Sequence, residues 1–517
     1  MKQQTQCLLD DGKDRAGRLQ PRDKRRSSAI NLGVLVLDRR SPRSLHQQIY
    51  STLRDLILTG IIAPGAVLPS TRSLSHDLGV SRNTASAVFD QLSAEGLIET
   101  KVGSGTSVTK AIPAEFLARK RARWLKAPGS KSAVRRLPDR ARILGGFADT
   151  RAESMPKAFT PGVPAIDHFP IDEWITLTSR HWKTATVREL CSSSAMGSSK
   201  LRSVIANYSG AARAASCTEE NVLVVTGAQQ ALDICARTLT DPGDVCWIEN
   251  PGYLGARHAF TLAGLRVVPA PVDERGLIVR DAIATLPEPR LIYITPSHQY
   301  PLGGTLSLER RIALLEFADR VGAWIIEDDY DSEFGYEGTP ISCLQGLDTS
   351  DRVVYIGSFN KTLFPALRLG FAIVPSDLVA PFRTARLHSD GHPAAVTEAV
   401  LADFIANGGY GSHLRRMRSV YMERRDLLIE MLSRHASQIK VGVHDRGLHL
   451  VGYLPRSIDD RRISERARRL GVIVPPLSQF YLSRKKGNGL LFGFACTIPV
   501  EIEPAVRKLG AVLNELA

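Results

Sequence analysis

Residues 353–361 read VVYIGSFNK: a run of apolar β-formers that closes on a glycine, a serine, an asparagine and a lysine. A short run apolar at every position predicts a strand buried on both faces of a parallel sheet. Working outward, the same pattern recurs. VLVV (222–225) runs into Thr226-Gly227-Ala228-Gln229-Gln230, and VCWIE (245–249) into Asn250-Pro251-Gly252-Tyr253. LIYI (291–294) runs into Thr295-Pro296-Ser297-His298-Gln299, and AWII (323–326) into Glu327-Asp328-Asp329-Tyr330. Strand-like runs alternate with helical patterns from about residue 158 onward, which predicts a parallel α/β domain over 158–517. Ligands in such sheets sit beyond the carboxyl ends of the strands, so the five polar clusters are expected to converge on one cleft.

The chain has 517 residues, room for two to four domains. Its 43% hydrophobic and 23% charged residues exclude a disordered, fibrous or membrane-embedded chain. No run approaches the ~20 apolar residues of a membrane span, and the N-terminus lacks the apolar segment of a secretory signal. A cytoplasmic protein with no membrane partner is expected. Seven scattered cysteines with no CxxC pair argue against a disulfide framework and against a metal site. The net charge of +14 is unevenly placed: residues 1–150 hold 26 Lys and Arg against 13 Asp and Glu, the remainder 41 against 40. A polyanion-binding front on a nearly neutral body is the expected layout.

That front divides further. Residues 1–42 are polar with basic clusters and are expected to be mobile. Residues 111–157 read as a basic linker, with Arg119-Lys120-Arg121 and Arg135-Arg136 among prolines. Between them, residues 43–110 form a compact unit. Leu45, Ile49, Leu53, Leu56 and Ile57 share a helical face that stops at Gly60. Ser70 and Ser81 are placed to cap two further short helices separated by Gly79, and two β-prone runs flank Gly103-Ser104-Gly105. This is the pattern of a winged helix-turn-helix, mostly helical with a small hairpin. Ser81, Arg82, Asn83 and Thr84, at the start of the second short helix, offer hydrogen bonds to phosphates and base edges in a major groove. Arg72 and the wing around Lys101 and Gly103 are placed for flanking phosphates, making double-stranded operator DNA the expected partner.

In the body, Gly227-Ala228 opens a helix and presents backbone N–H groups suited to a phosphate. Asp328 followed by Tyr330 at a strand end suits a pyridinium nitrogen and a neighbouring phenolic oxygen. Lys361 can form a Schiff base, and Ser358 and Arg368 can bind phosphate. Together these residue types match pyridoxal phosphate.

The unit at 43–110 resembles the winged-helix domain of the GntR family of bacterial regulators, through LPSTR, LGVSRNT and LSAEGLIE followed by the glycine wing. The body resembles the fold-type I aminotransferases dependent on pyridoxal 5'-phosphate. Its order of motifs, GAQQALD, ENPGY, TPSHQYPLG, EDDYDSEF, GSFNKTLFPALRLG and GFA, is similar to that of the MocR group, which joins the two halves. The resemblance implies that Lys361 carries the cofactor, Asp328 holds the pyridine nitrogen, Tyr330 bonds the 3-oxygen and Tyr253 stacks on the ring. Gly227, Ala228, Ser358 and Arg368 then hold the phosphate. It further implies a homodimer and a regulator that senses a small amino compound, with a working aminotransferase as the alternative and weak or no turnover expected. Three positions depart from the family pattern: Asn360 stands where a serine is usual, Gly197-Ser198 where an aromatic often follows the glycine, and Arg484-Lys485-Lys486-Gly487-Asn488-Gly489 ahead of GFA where a carboxylate-gripping arginine is common. Arg257 and His298 are further candidate ligand contacts.

Overall fold

The computed structural model describes residues 37–39, 41–101, 105–110, 138–145, 155–336, 341–442, 445–482 and 487–516. Most of residues 1–42 and of 111–157 therefore lie outside the described residues. The chain divides between Arg136 and Leu137 into two compact units.

In the first unit, Leu45–Leu58 is helical because Ile49, Leu53 and Ile57 recur at helical spacing and bury one face completely. Thr71–Leu78 and Arg82–Ala94 follow, each opened by a serine whose hydroxyl accepts a backbone N–H of the first turn. Gly79 joins them at φ +60°, a left-handed conformation that a side chain would strain. Leu74, Val88 and Leu92 are buried against the first helix. Strands β1 (Ile98–Lys101) and β2 (Gly105–Val108) pair antiparallel, and Val67 bridges to Ser107 beside them. The expected winged helix-turn-helix is formed.

The second unit opens with a helix, Asp139–Gly145, inside the stretch that reads as linker. It begins directly after Pro138, and Asp139 and Arg142, one turn apart, pair at 2.7 Å. A count of basic residues does not register such local pairing.

The main sheet comprises β3 (Val222–Val225), β4 (Val245–Asn250), β5 (Arg266–Asp273), β6 (Gly276–Leu277), β7 (Leu291–Ile294), β8 (Trp324–Asp329), β9 (Val353–Ser358) and β10 (Gly370–Ile373). They lie in the order β3-β10-β9-β8-β7-β4-β5-β6. The run from β9 to β5 is parallel, and β10 is antiparallel to both of its neighbours. In β3, Val222 and Val224 enter the core on one face, and Leu223 and Val225 that on the other. Helices cover both faces, so the strands carry no polar alternation.

Register then positions the site. Gly370 lies opposite both Val225 and Ser358, so the loops after β3 and β9 leave the sheet at one level. Asp328 pairs with Ile356, Glu327 with Ile294, and Tyr293 with Ile248, carrying the remaining strand ends toward the same edge. A second antiparallel sheet, β11 (Lys440–Gly442), β12 (His449–Tyr453) and β13 (Gly489–Gly493), is not announced by the apolar patterning. Among the described residues, no helix is long and apolar enough to cross a membrane.

Candidate functional site

Gly227 follows β3 by two residues, at φ +113°, and caps the helix Ala228–Leu239, whose first N–H groups have no partner within the helix. A Cβ at Gly227 would lie 2.8 Å from Asn360 Nδ2 and 3.6 Å from Arg368 Nη1. The glycine is therefore one wall of a cradle whose other wall is an amide and a guanidinium. Ser358 Oγ accepts the N–H of Asn360 at 3.3 Å, which places its hydroxyl in the same turn. Arg368 is exposed and in a left-handed conformation at the end of the turn Pro365–Leu367. Backbone N–H groups, a hydroxyl, an amide and a guanidinium make a donor-rich set without a carboxylate, suited to a phosphate.

Two adjacent acids on β8 have opposite surroundings. Asp329 faces Arg213, whose Nε donates at 2.9 Å, and Tyr355, whose hydroxyl donates at 2.7 Å. Asp328, pointing to the other face, receives one donor among the described residues, the Tyr293 hydroxyl at 2.8 Å on Oδ2; Oδ1 is buried with no hydrogen-bond partner among them. Burial pushes the Asp328 carboxyl up to about 7, with Tyr293 and Lys361 pulling the other way. A buried carboxylate with an unused oxygen is costly unless a cationic or N–H donor meets it. Lys361 follows β9, and its Nζ donates to the Gly162 carbonyl at 2.7 Å. Glu249, at the end of β4, is also buried and pushed up to about 7 by burial, although Thr295 donates to it through both N–H (3.0 Å) and Oγ1 (2.7 Å).

Tyr253 precedes the helix Leu254–Ala263, and its ring lies over Gly255, where a Cβ would overlap it. Tyr253 and Tyr330 both stand edge-on to Tyr300, at 5.8 and 5.7 Å between centroids. The Tyr330 hydroxyl lies 2.9 Å from His298 Nδ1 and donates to the His298 carbonyl at 3.0 Å. His298 in turn pairs with Asp331 and stacks near His449. With His298 Nδ1 on Asp331 and His449 Nε2 on the Pro301 carbonyl, this trio reads as a hydrogen-bonded network. Asp331, Tyr293, Asp329 and Arg213 are site residues that sequence reasoning missed. Asp329 and Asp331 carried a signal, being acids within three residues of Asp328, whereas Tyr293 reads as one more apolar strand position.

Of the three departures from the family pattern, Asn360 joins the cradle, with its Oδ1 buried and unpartnered. Gly197, at φ +93°, has Glu398 Oε1 2.6 Å from its would-be Cβ, and Ser198 caps the helix Ser199–Arg213. Arg484, Lys485 and Lys486 lie outside the described residues. Arg257 sits in the first turn of Leu254–Ala263, partly exposed.

In the winged helix, Arg72, Arg82 and Asn83 are exposed. Ser81 and Thr84, expected to offer hydroxyls to DNA, also bond each other at 2.8 Å, and Ser81 Oγ accepts the Thr84 N–H at 3.1 Å. Their first role is the cap that fixes how Arg82 and Asn83 are presented. Lys101 is exposed at the end of β1, and Gly103 lies outside the described residues.

Comparison with known proteins agrees with both halves. Residues 45–108 match the model of bacterial regulatory proteins of the gntR family, and residues 164–509 that of aminotransferase class I and II. The chain is 39% identical to the probable rhizopine catabolism regulatory protein MocR of Rhizobium meliloti, over 93% of this chain and 96% of that one. It is 31% identical to the HTH-type pyridoxine biosynthesis transcriptional regulator PdxR of Corynebacterium glutamicum, over 89% and 94%. Among solved structures, the Thermus thermophilus α-aminoadipate aminotransferase LysN, complexed with N-(5'-phosphopyridoxyl)-L-leucine, superposes with a TM-score of 0.68 at 26% identity, covering 73% of this chain and 97% of its own. The chain belongs to the MocR group of GntR-family transcription regulators, a helix-turn-helix domain joined to a fold-type I aminotransferase-like domain.

Proposed function

We propose that this protein is a cytoplasmic, homodimeric transcription regulator that reads operator DNA through its winged helix and senses a small amino compound through pyridoxal 5'-phosphate held on Lys361. The observation that carries the cofactor assignment is Asp328: a buried carboxylate oxygen without a partner among the described residues, on the same sheet edge as a lysine and a donor-rich cradle. In this reading Asp328 meets the pyridine nitrogen, Tyr330 the 3-oxygen, and Tyr253 flanks the ring. Gly227, Ala228, Ser358, Arg368 and the amide of Asn360 hold the phosphate. The cofactor supplies an electrophilic carbon that exchanges amines. The chain's own residues orient it, shield it from water and return the proton through Lys361. A phosphopyridoxyl amino acid bound by LysN, which shares this fold, supports the assignment.

On the DNA side, Arg82 and Asn83 are the base readers and Arg72, Ser81, Thr84 and the wing at Gly103 the phosphate contacts. The deciding experiment is a titration of the holoprotein with a panel of amino compounds, following visible absorbance and operator binding together. One compound that changes both is the expected outcome; spectra that change without any effect on DNA overturn the sensing role. The complete set of Lys361, Asp328 and Tyr330 also favours a working aminotransferase, and sustained turnover of an amino acid and keto acid pair would establish that reading instead.

A further inference from the structure

Tyr330 has one proton and, within the protein, two acceptors competing for it. Its hydroxyl stands 3.0 Å from the His298 carbonyl and 2.9 Å from His298 Nδ1. If Nδ1 were a bare lone pair, it too would draw the phenol proton away from any ligand. Asp331 prevents this, because its two carboxylate oxygens lie 3.0 and 3.1 Å from Nδ1, in a pair whose side chains are each 1% exposed. A carboxylate so placed holds the imidazole in the tautomer that carries its proton on Nδ1. The other nitrogen, Nε2, is buried without a hydrogen-bond partner among the described residues, a tolerable state for a lone pair and a costly one for an N–H.

The covering loop is built around this pair. Gly447, at φ +79°, lies so close that a Cβ would overlap the His298 ring, and the N–H of Leu448 donates to Asp331 Oδ2 at 3.2 Å. His449 closes the other side, its ring 4.9 Å from that of His298.

We propose that His298 and Asp331 are positioning residues that take Nδ1 out of the contest for the Tyr330 proton, so that the hydroxyl has only the weaker, neutral His298 carbonyl to leave when it donates to the cofactor's 3-oxygen. The proposal rests on the pyridoxal phosphate reading above and adds to it a pair that acts only through Tyr330. The groups facing Tyr330 are Asp331, Asp328, Tyr300, Glu249, His298 and His449, with Lys361 beside Asp328. Among the described residues, the Nδ1–H that Asp331 fixes also faces the Tyr330 oxygen at 2.9 Å, where it occupies a lone pair and leaves the phenol proton to point elsewhere.

The readout is the pH midpoint of the visible absorbance band of the holoprotein. The 3-oxygen carries its charge most fully once Lys361 Nζ, joined to the cofactor, has lost its proton, so a donor there lowers the midpoint and loss of that donor raises it. Tyr330→Phe and His298→Ala are each expected to raise the midpoint by about one pH unit, a tenfold change in proton affinity. The double variant is expected to match Tyr330→Phe alone. His298→Asn, which keeps a donor near the Nδ1 position, is expected to restore the wild-type midpoint, and His298→Gln, which moves it, is not. An unchanged midpoint in His298→Ala, or a shift added in full to that of Tyr330→Phe, overturns the proposal. If His298→Ala fails to fold, equal midpoints for the Asn and Gln variants do the same. A wild-type protein reconstituted with pyridoxal phosphate that shows no visible band refutes the cofactor reading itself, a separate result.

Discussion

The two units use charge in opposite ways. In the winged helix, Arg72, Arg82 and Lys101 lie exposed at the surface, ready for a polyanion. In the body, Asp328, Glu249 and Glu327 are buried carboxyls that burial pushes up to about 7. Surface cations bind by long-range attraction that salt weakens. Among these acids Glu249 and Glu327 already have donors, whereas Asp328 keeps one oxygen open for a particular donor. The helix-turn-helix unit should therefore respond to ionic strength, and the aminotransferase-like unit to pH and to the proposed cofactor.

The sharpest break between the units is Lys361→Ala. It should abolish covalent attachment of pyridoxal phosphate, so that borohydride fixes none, and remove any response to an amino effector. A gel-shift assay should still find operator binding, since the winged helix is a separate compact unit.

Leu53→Ala reverses the separation. Leu53 is fully buried in the winged-helix core, and its truncation should cost about 2–5 kcal/mol. Calorimetry should show the loss in one unfolding transition, with the cofactor spectrum of the body unchanged. Loss of the spectrum as well would mean that the units are energetically one.

Arg82→Ala should weaken operator binding by about 1–3 kcal/mol if the guanidinium reads a base. Equal weakening on random DNA would make it a phosphate contact.

The fourth test concerns pH. A carboxyl whose folded value is raised binds its proton more tightly in the native state, so it destabilises the fold as pH rises from the ordinary carboxylate range to about 7. The cofactor-free protein should lose stability across that interval, by up to about 1.4 kcal/mol per unit of separation for Asp328 alone. Asp328→Asn should flatten the pH dependence of its melting temperature relative to wild type, and pyridoxal phosphate should stabilise the wild type more at pH 8 than at pH 5. The smallest effect belongs to Arg54→Ala. Its pair with Glu95, at 3.1 Å, lies at the surface, where solvent screens it, and its loss should barely move the melting temperature.

What the sequence made legible follows the same division of labour. The five strand ends were readable because both faces of β3, β7 and β9 are buried, leaving apolar runs with no polar interruption. Lys361, Asp328, Gly227 and Arg368 were readable because each follows such a run directly or within a short turn. The bond from Tyr293 to Asp328 and the pairing of Arg213 with Asp329 were not, since they join residues 35 and 116 positions apart. The pairing of His298 with Asp331 falls in the same class: both residues stand in readable clusters, but only the side-by-side packing of β7 and β8 shows that they meet. The small sheet β11–β13 was hidden for a different reason: its strands KVG, HLVGY and GLLFG carry only brief apolar runs broken or bounded by glycines.

The antiparallel strand β10 carries a consequence for how the protein comes into being. β3 is the first strand of the main sheet to be synthesised, yet its only neighbour in that sheet is β10, the last. The phosphate cradle at Gly227 thus awaits the chain through Ile373, a long loop closure of the kind that slows folding. The winged helix is local in its contacts and leaves the ribosome first. A nascent chain accordingly completes its helix-turn-helix unit before the fold that, in the proposed reading, would sense an effector.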